Sequence, residues 1–184
     1  MHYQSAFTLI EALIVLSIIS ILTLFTIPGL REVLQHAQDN AVRAELVKLM
    51  VTARSEAETL CKTVMLCKSS DMFHCGGEWS AGQLVFVDSM RDGKLHTAAQ
   101  IIAVNRMQSA RGSLHVRFYP IYRDAVYFHS LISGVNDNGT FWYCRAGAVL
   151  PSWAVKVNRA GNIEEMLPDA NGEIKDAQGR VFPC

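Results

Sequence analysis

The sequence predicts an α+β fold, in which one long N-terminal α-helix packs on an antiparallel β-sheet head. Residues 7–27 are apolar apart from one glutamate, and residues 31–60 repeat their apolar positions at helical spacing. From about Lys62 onward, short stretches of alternating apolar and polar residues are separated by turn residues. A series of strands that follows a single long helix is typical of α+β domains.

The apolar segment is long enough to cross a membrane. Its 21 residues, Phe7 to Ile27, would form a helix about 32 Å long at ~1.5 Å per residue, which matches the hydrocarbon core of a bilayer. A secretory signal carries small residues behind its apolar run, whereas here the small residue, Ala6, lies in front. Cleavage at this point would leave the transmembrane helix, residues 7–29, on the mature chain.

One charged residue, Glu11, lies inside this apolar segment. A carboxylate at such a depth costs on the order of 2–3 kcal/mol unless a cation pairs with it. Cleavage before Phe7 would create a new amine about one helical turn away, in the same chain or in a neighbour. A plain membrane anchor explains the length of the segment but does not explain Glu11.

Residues 30–61 are predicted to form an amphipathic helix that docks on the head. We expect Pro28 and Gly29 to interrupt the helix before it, through a kink or a short melted stretch. Apolar residues recur mostly three or four positions apart, at Val33, Leu34, Ala37, Ala41, Val42, Leu46, Leu49, Met50, Ala53, Ala57 and Leu60. Charged residues occupy the opposite face, among them Arg31, Glu32, Asp39, Arg43 and Arg54.

The head, residues 62–184, is predicted to contain six strands and a C-terminal tail. Alternating residues place strands over 82–88, 100–105, 113–120, 125–132, 139–144 and 153–158. In the third of these, Leu114, Val116 and Phe118 face one way, whereas His115 and Arg117 face the other. The polar, turn-rich tail, residues 168–184, is expected to lie on the head. No internal repeat is evident in the sequence.

Composition and motifs argue against an enzyme. Lys plus Arg equal Asp plus Glu, at 17 each, so bulk charge indicates neither a nucleic-acid binder nor an enzyme for acidic substrates. The six histidines are scattered, and none has a second histidine four residues away on a helix. The sequence contains neither a nucleophile elbow nor a phosphate-binding loop. We therefore expect no catalytic residues and no cofactor.

The five cysteines suggest an exported head held by disulfides. The short spacing of Cys67 and Cys75 suits a local disulfide across a turn, and a bridge from Cys144 to Cys184 would fasten the tail. Cys61 would then remain unpaired, buried near the end of the helix. The sequence by itself leaves the connectivity open.

Two metal sites were weighed against this interpretation. Cys61, Cys67, His74 and Cys75 could bind zinc, but they lack the tight C-x2-C pairs of zinc sites. Residues 169–179 invite comparison with a calcium loop, but Ile174 stands at the position where an EF-hand needs glycine. No metal is predicted.

The N-terminus resembles that of type IV prepilins, through the string FTLIE. With Phe7 as the first mature residue, Glu11 is the fifth and Pro28 the twenty-second, as in that family. The resemblance implies that a prepilin peptidase removes leader residues 1–6 by cleaving between Ala6 and Phe7, and that the Phe7 amine is methylated. It also implies that Glu11 pairs with the N-terminus of an adjacent subunit. Ala6 stands where the family prefers glycine, and the leader contains no Lys or Arg.

The head resembles the GspH/FimT group of minor pilins and pseudopilins. The similarity lies in the cysteines, in GTFWYC (139–144) and in AVKVNRAGNI (154–163). It implies a minor type IV pilin that acts in pilus assembly or initiation; the alternative is a type II secretion pseudopilin. The implied partners are other major and minor pilins or pseudopilins, the prepilin peptidase and the inner-membrane assembly platform. The implied location is the bacterial inner membrane with a periplasmic head, and later the pilus or pseudopilus.

DNA is a further partner that the resemblance raises, because some members of the group bind it during uptake. Their Gly-Arg-x-Arg motif is replaced here by Gly161-Asn162-Ile163-Glu164, which lacks both arginines. Residues 91–123 nevertheless hold six basic residues against one aspartate. The sequence favours solvated side chains on edge strands over a DNA site in this region. The candidate DNA contacts are Arg106, Arg111, Arg117, Arg123 and Arg180.

Overall fold

The computed structural model describes residues 8–107, 112–119, 124–130 and 137–184, with the side chains of residues 23–29 left out. Four predicted site residues, Ala6, Phe7, Arg111 and Arg123, and the side chain of Pro28 therefore lie outside the described residues. The secondary structure begins with one long helix, α1, and continues with eight strands and one short 3-10 helix, Ala98–Gln100. Their bounds are α1 Leu9–Leu60, β1 Val64–Lys68, β2 Gly82–Val87, β3 Ile101–Arg106, β4 Gly112–Tyr119, β5 Ala125–Phe128, β6 Asn138–Arg145, β7 Trp153–Val157 and β8 Ile163–Met166.

The chain divides into two compact units, Met1–Gln38 and Asp39–Cys184. In the first unit, ten large apolar side chains between Leu9 and Leu22 are 44–80% exposed. The helical backbone continues through Pro28 and Gly29, so α1 contains no melted stretch at these residues. Within the described part of the chain, no helix combines the length and the apolarity that crossing a membrane requires.

In the second unit, the last part of α1 packs into the core as its spacing predicts. Leu46, Leu49, Met50, Ala53 and Ala57 are all buried, at steps of three, one, three and four residues. They share one apolar cluster with side chains from both of the sheets described next. Burial of this stripe, rather than intrinsic helix propensity, holds the helical segment in place.

The strands form two four-stranded antiparallel sheets, which agrees with the predicted α+β head. Their orders are β3-β2-β1-β5 and β4-β6-β7-β8. All six predicted strands are present, whereas β1 and β8 were missed. In β1 every residue except the last is buried, so its sequence shows no alternation, and it was interpreted as part of a cystine loop. In β8 the two adjacent glutamates are both exposed, so this strand shows no alternation of apolar and polar residues either.

Strand β4 shows the predicted alternation of its two faces. Leu114, Val116 and Phe118 pack in the cluster that includes α1. On the opposite face, the His115 ring stacks on Trp142 at 5.5 Å, and the Arg117 guanidinium lies 5.6 Å from the same ring. The register pairs His115 directly with Trp142 across the β4–β6 ladder.

One turn pattern occurs three times, contrary to the expectation that no repeat exists. Residues 158–162, 169–173 and 176–180 each begin with Asn or Asp and have glycine in fourth place, with φ of 75° to 78°. In each turn, the first side-chain oxygen accepts hydrogen bonds from the third and fifth backbone amides. Only the first residue type and the glycine are shared, so the repeat is hard to recognise before the hydrogen bonds are known.

Candidate functional site

The start of α1 presents Glu11 in the first helical turn. The Glu11 backbone amide donates to the Thr8 carbonyl at 3.1 Å and to the Thr8 hydroxyl at 3.4 Å, so Thr8 is the N-cap. Glu11 is exposed, and it makes no ion pair with any residue that the structure describes. A carboxylate here also interacts favourably with the N-terminal end of the helix dipole.

Thr8 and Glu11 have the spacing of a capping box, which the sequence analysis did not use. In that motif, the N-cap hydroxyl and a glutamate three residues later satisfy backbone amides at the helix start. The first half of the motif is present, because the Thr8 hydroxyl accepts from the Glu11 amide. The T-x-x-E spacing ahead of an apolar run could have located this helix start directly.

A buried ion pair fastens the head's part of α1 to the second sheet. The Asp39 carboxylate, whose side chain is 7% exposed, accepts from Arg145 Nε at 3.1 Å and from Arg145 Nη2 at 2.6 Å. The Asp39 carbonyl also accepts from Trp153 Nε1 at 2.8 Å. Sequence reasoning placed Asp39 on the polar face of the helix and missed this contact.

Two further contacts hold α1 against the region around β8. Arg43 Nε lies 3.1 Å from a carboxylate oxygen of Glu165, and Arg54 Nη1 donates to the Gly161 carbonyl at 2.7 Å.

Tyr143 lies beside the Asp39–Arg145 ion pair. Burial raises the pKa of its hydroxyl, and the negative charge of Asp39 raises it further. This environment favours the neutral phenol at physiological pH.

Both proposed disulfides, Cys67–Cys75 and Cys144–Cys184, are present, so the pairing left open by the sequence is confirmed. The cysteines of the alternative zinc site are therefore not all thiols, because Cys67 and Cys75 are bonded to each other. Cys61 is exposed, contrary to the expectation that it would be buried. It follows the last residue of α1 and has a φ of 51°, in the left-handed region that often ends a helix.

The tail covers the outer face of the second sheet, as predicted. Ile174 and Phe182 are each 2% exposed and pack on Trp142, Cys144 and Ala154. The Trp142 indole nitrogen donates to the Pro183 carbonyl at 2.9 Å. The tail is thus held by an apolar contact, by a hydrogen bond and by the disulfide at its last residue.

One of the candidate DNA contacts, Arg117, takes part in fastening this tail, whereas Arg180 belongs to the tail itself and forms a pair within it. The Arg117 guanidinium lies 5.4 Å from the Phe182 ring, and its Nη1 is 3.5 Å from the Asp176 carboxylate. Arg180 Nε lies 2.8 Å from the same carboxylate. Although burial opposes it, hydrogen bonding by the backbone and side chain of Arg180 lowers the pKa of Asp176, so this acid remains ionised.

Of the three candidate DNA contacts among the described residues, the structure brings two together, Arg117 and Arg180. Arg106 is exposed at the end of β3, apart from the Arg117–Asp176–Arg180 cluster. Beside that cluster lies a groove of about 540 Å³, bordered by Tyr119 and Lys156. Lys156 pairs with Glu164, which reduces the positive charge of the groove. Arg117 is therefore neither a free phosphate contact nor a simple solvated residue.

Comparison with known proteins supports a pilin-like interpretation. Residues 1–27 match the sequence family described as Prokaryotic N-terminal methylation motif. The fold is similar to that of the type IV minor pilin FimU of Pseudomonas aeruginosa PAO1, in its P21 crystal form. That similarity has a TM-score of 0.52 and 16% identity, and it covers 72% of this chain and 89% of FimU.

The P65 crystal form of FimU gives a TM-score of 0.48 at 16% identity, over 68% of this chain and 90% of that one. A search of curated protein sequences finds no match. The chain therefore combines an N-terminal methylation motif with a pilin-like α+β fold.

Proposed function

We propose that the chain is a minor type IV pilin that acts in assembly or initiation of the filament. The observation that carries this proposal is the prepilin methylation motif over residues 1–27, on a chain whose fold is similar to a minor pilin. Residues 1–6 are the leader, residues 7–29 insert in the bacterial inner membrane, and residues 30–61 dock on the periplasmic head of residues 62–184. The partners are the prepilin peptidase, the assembly platform and other pilins.

The proposed mechanism depends on an electrostatic difference between membrane and filament. For the apolar side chains of Leu9 to Leu22, moving from lipid to a helix bundle changes little, because lipid tails are as apolar as leucine. Glu11 differs: in the proposed mechanism its carboxylate does not pair with the amine of its own chain in lipid, and it meets the Phe7 amine of an adjacent subunit in the bundle. The helix start supports this role, since Glu11 is exposed there.

Mass spectrometry of the protein purified from its native host tests this proposal. We expect a chain that begins at Phe7, with the mass of residues 1–6 lost and one methyl group gained on the new amine. The matched control is an Ala6→Gly variant, in which the cleavage site has the residue that the family prefers, so its cleavage should be at least as complete. An intact initiator methionine on the wild-type chain would contradict the proposal and would indicate a domain that is simply tethered to the membrane.

A type II secretion pseudopilin is the alternative, and the same processing applies to it. The two differ in what is lost when the chain is absent from its host. Loss of a pilus subunit reduces surface pili, whereas loss of a pseudopilin traps exported proteins in the periplasm.

DNA uptake is the most specific part of the proposal, and it rests on the net positive charge of residues 91–123. Arg106 is the candidate contact to test first, because it is exposed and lies outside the tail cluster. In a fluorescence titration of duplex DNA, Arg106→Glu is expected to weaken binding and to lower the salt slope by about 1. Arg159→Glu, another exposed arginine outside the basic segment, is the control. A flat titration of the wild-type chain at low salt would remove DNA from the proposal.

A further inference from the structure

The loop between β1 and β2, residues 69–81, displays an exposed aromatic residue. Phe73 is 56% exposed, whereas its neighbour Met72 is 5% exposed. A phenylalanine in water contributes no hydrophobic stabilisation to the head, and it would gain that stabilisation only by burial against another surface. We refer to residues 69–81 as the Phe73 loop.

The Phe73 loop is held in one conformation by a dense set of bonds. The Cys67–Cys75 disulfide closes it covalently. The Asp71 carboxylate accepts from the backbone amides of Phe73 and His74, each at 2.8 Å, and from His74 Nδ1 at 2.6 Å. An exposed aromatic on such a loop loses little conformational entropy when it binds a partner.

The direction of Phe73 is set by an unfavourable backbone conformation at Met72. Met72 has a φ of 68°, which is uncommon for a residue with a side chain. Its backbone amide donates to the Ser69 hydroxyl at 2.9 Å. The Met72 side chain lies against Gly82, where a Cβ atom would collide with it. The loop thus directs one side chain inward and presents the next one, an arrangement whose local strain is typical of functional segments.

The charged groups beside Phe73 are the Asp71–His74 pair, whose atoms lie 2.6 Å apart, and the exposed acid Glu78. The Phe73 loop contains two exposed acids, Asp71 and Glu78, and no lysine or arginine. The hydrogen bond from His74, followed by the backbone amides of Phe73 and His74, holds the pKa of Asp71 well below its usual range. Asp71 therefore stays negatively charged at any physiological pH.

We propose that Phe73 is an anchor that inserts into an apolar pocket with a lysine- or arginine-rich rim on the head of a neighbouring filament subunit. This inference rests on the proposed function, which supplies the neighbour. Aromatic side chains on rigid elements dominate the binding energy of protein interfaces. Glu78, the exposed acid of the loop that does not pair with His74, fits a basic rim and disfavours an acidic one.

Photo-crosslinking in the native host tests the anchor with the full-length chain. A benzophenone amino acid replaces Phe73 or, as the control, Val149, which is 81% exposed and lies in a stretch without acids. We expect residue 73 to capture a protein that itself begins with a prepilin methylation motif. Adding Glu78→Lys should lower the yield of this adduct by roughly tenfold, through repulsion from the basic rim.

A second measurement uses the natural side chains. Phe73→Ser is expected to lower the amount of the chain in sheared filaments by roughly tenfold, and Phe73→Trp should restore most of it. Val149→Ser should leave that amount unchanged. The melting temperature of Phe73→Ser should equal that of the wild type, because Phe73 is exposed.

Three outcomes would overturn the anchor: no adduct at residue 73, an adduct with a protein that lacks a prepilin motif, or wild-type filament content in Phe73→Ser. The state of the N-terminus in the same sample separates this failure from that of the proposed function. A chain that is cleaved and methylated but gives no adduct contradicts the anchor alone. An uncleaved chain contradicts the proposed function, and the anchor with it.

Discussion

In the native host, the Glu11→Ala chain is expected to be cleaved and methylated but to enter filaments at a level roughly 30-fold below wild type. The wild-type carboxylate costs on the order of 2–3 kcal/mol while it is unpaired in lipid, and pairing in the filament removes that cost. Alanine is tolerated equally in lipid and in a helix bundle, so the substitution removes the difference that favours assembly. Each 1.4 kcal/mol of this difference corresponds to about tenfold in the equilibrium.

The measurement compares the amount of chain in sheared filaments with the amount in membranes, by immunoblot. Glu32→Ala is the matched control, because its side chain is 75% exposed and lies on the same helix outside the apolar segment. Surface pili and secreted proteins are scored in the same strains, which separates a pilus subunit from a pseudopilin. Wild-type incorporation of the Glu11→Ala chain would contradict the electrostatic mechanism.

Asp39→Ala is expected to lower the free energy of unfolding of the head by about 2–4 kcal/mol. Removal of one member of a buried ion pair usually costs about 3–5 kcal/mol, because the remaining charge loses an interaction that offsets its burial. The lower range applies here because the Arg145 side chain is 27% exposed and can recover part of its hydration. The hydrogen bond from the Trp153 indole is also retained in the variant, because its acceptor is the backbone carbonyl of residue 39 and not the side chain.

Urea unfolding of the detergent-solubilised chain, followed by tryptophan fluorescence, measures this change. Trp153 is a suitable probe because it is buried beside the ion pair. The double variant Asp39→Ala with Arg145→Met should recover a large part of the loss, because no buried charge is then left without a partner. A change below about 0.5 kcal/mol, the range of ordinary surface substitutions, would show that the pair contributes little.

Local patterns in the sequence were sufficient for most of the fold. The stripe from Leu46 to Ala57 predicted the buried face of α1, and the alternation in β4 predicted which side chains face the core. Strand β1 could not be recognised in this way, because it is buried on both faces and therefore reads as one apolar run. The division into two sheets was equally inaccessible, since it depends on which strands pair and not on any one strand.

Those features of the candidate site that involve residues close together in the sequence could be predicted from it. The prepilin motif follows from residue types and spacing, whereas the pairing of the cysteines needed the structure. The partner of Asp39 lies 106 residues away in Arg145, and no pattern on the helix distinguishes Asp39 from its solvated neighbours. The position of Arg117 over the adjoining rings of Trp142 and Phe182 depends on where the tail folds back, so its charge alone suggested a different role.

The three equivalent turns have a consequence for how the surface between residues 158 and 180 can evolve. In each turn the conformation depends on the first side chain and on the glycine, whereas the second residue contributes no side-chain bond to it. These second positions, Arg159, Ala170 and Ala177, all point into solvent. The surface chemistry of this end of the protein can therefore diversify at three separate points under selection, while the hairpins beneath retain their geometry.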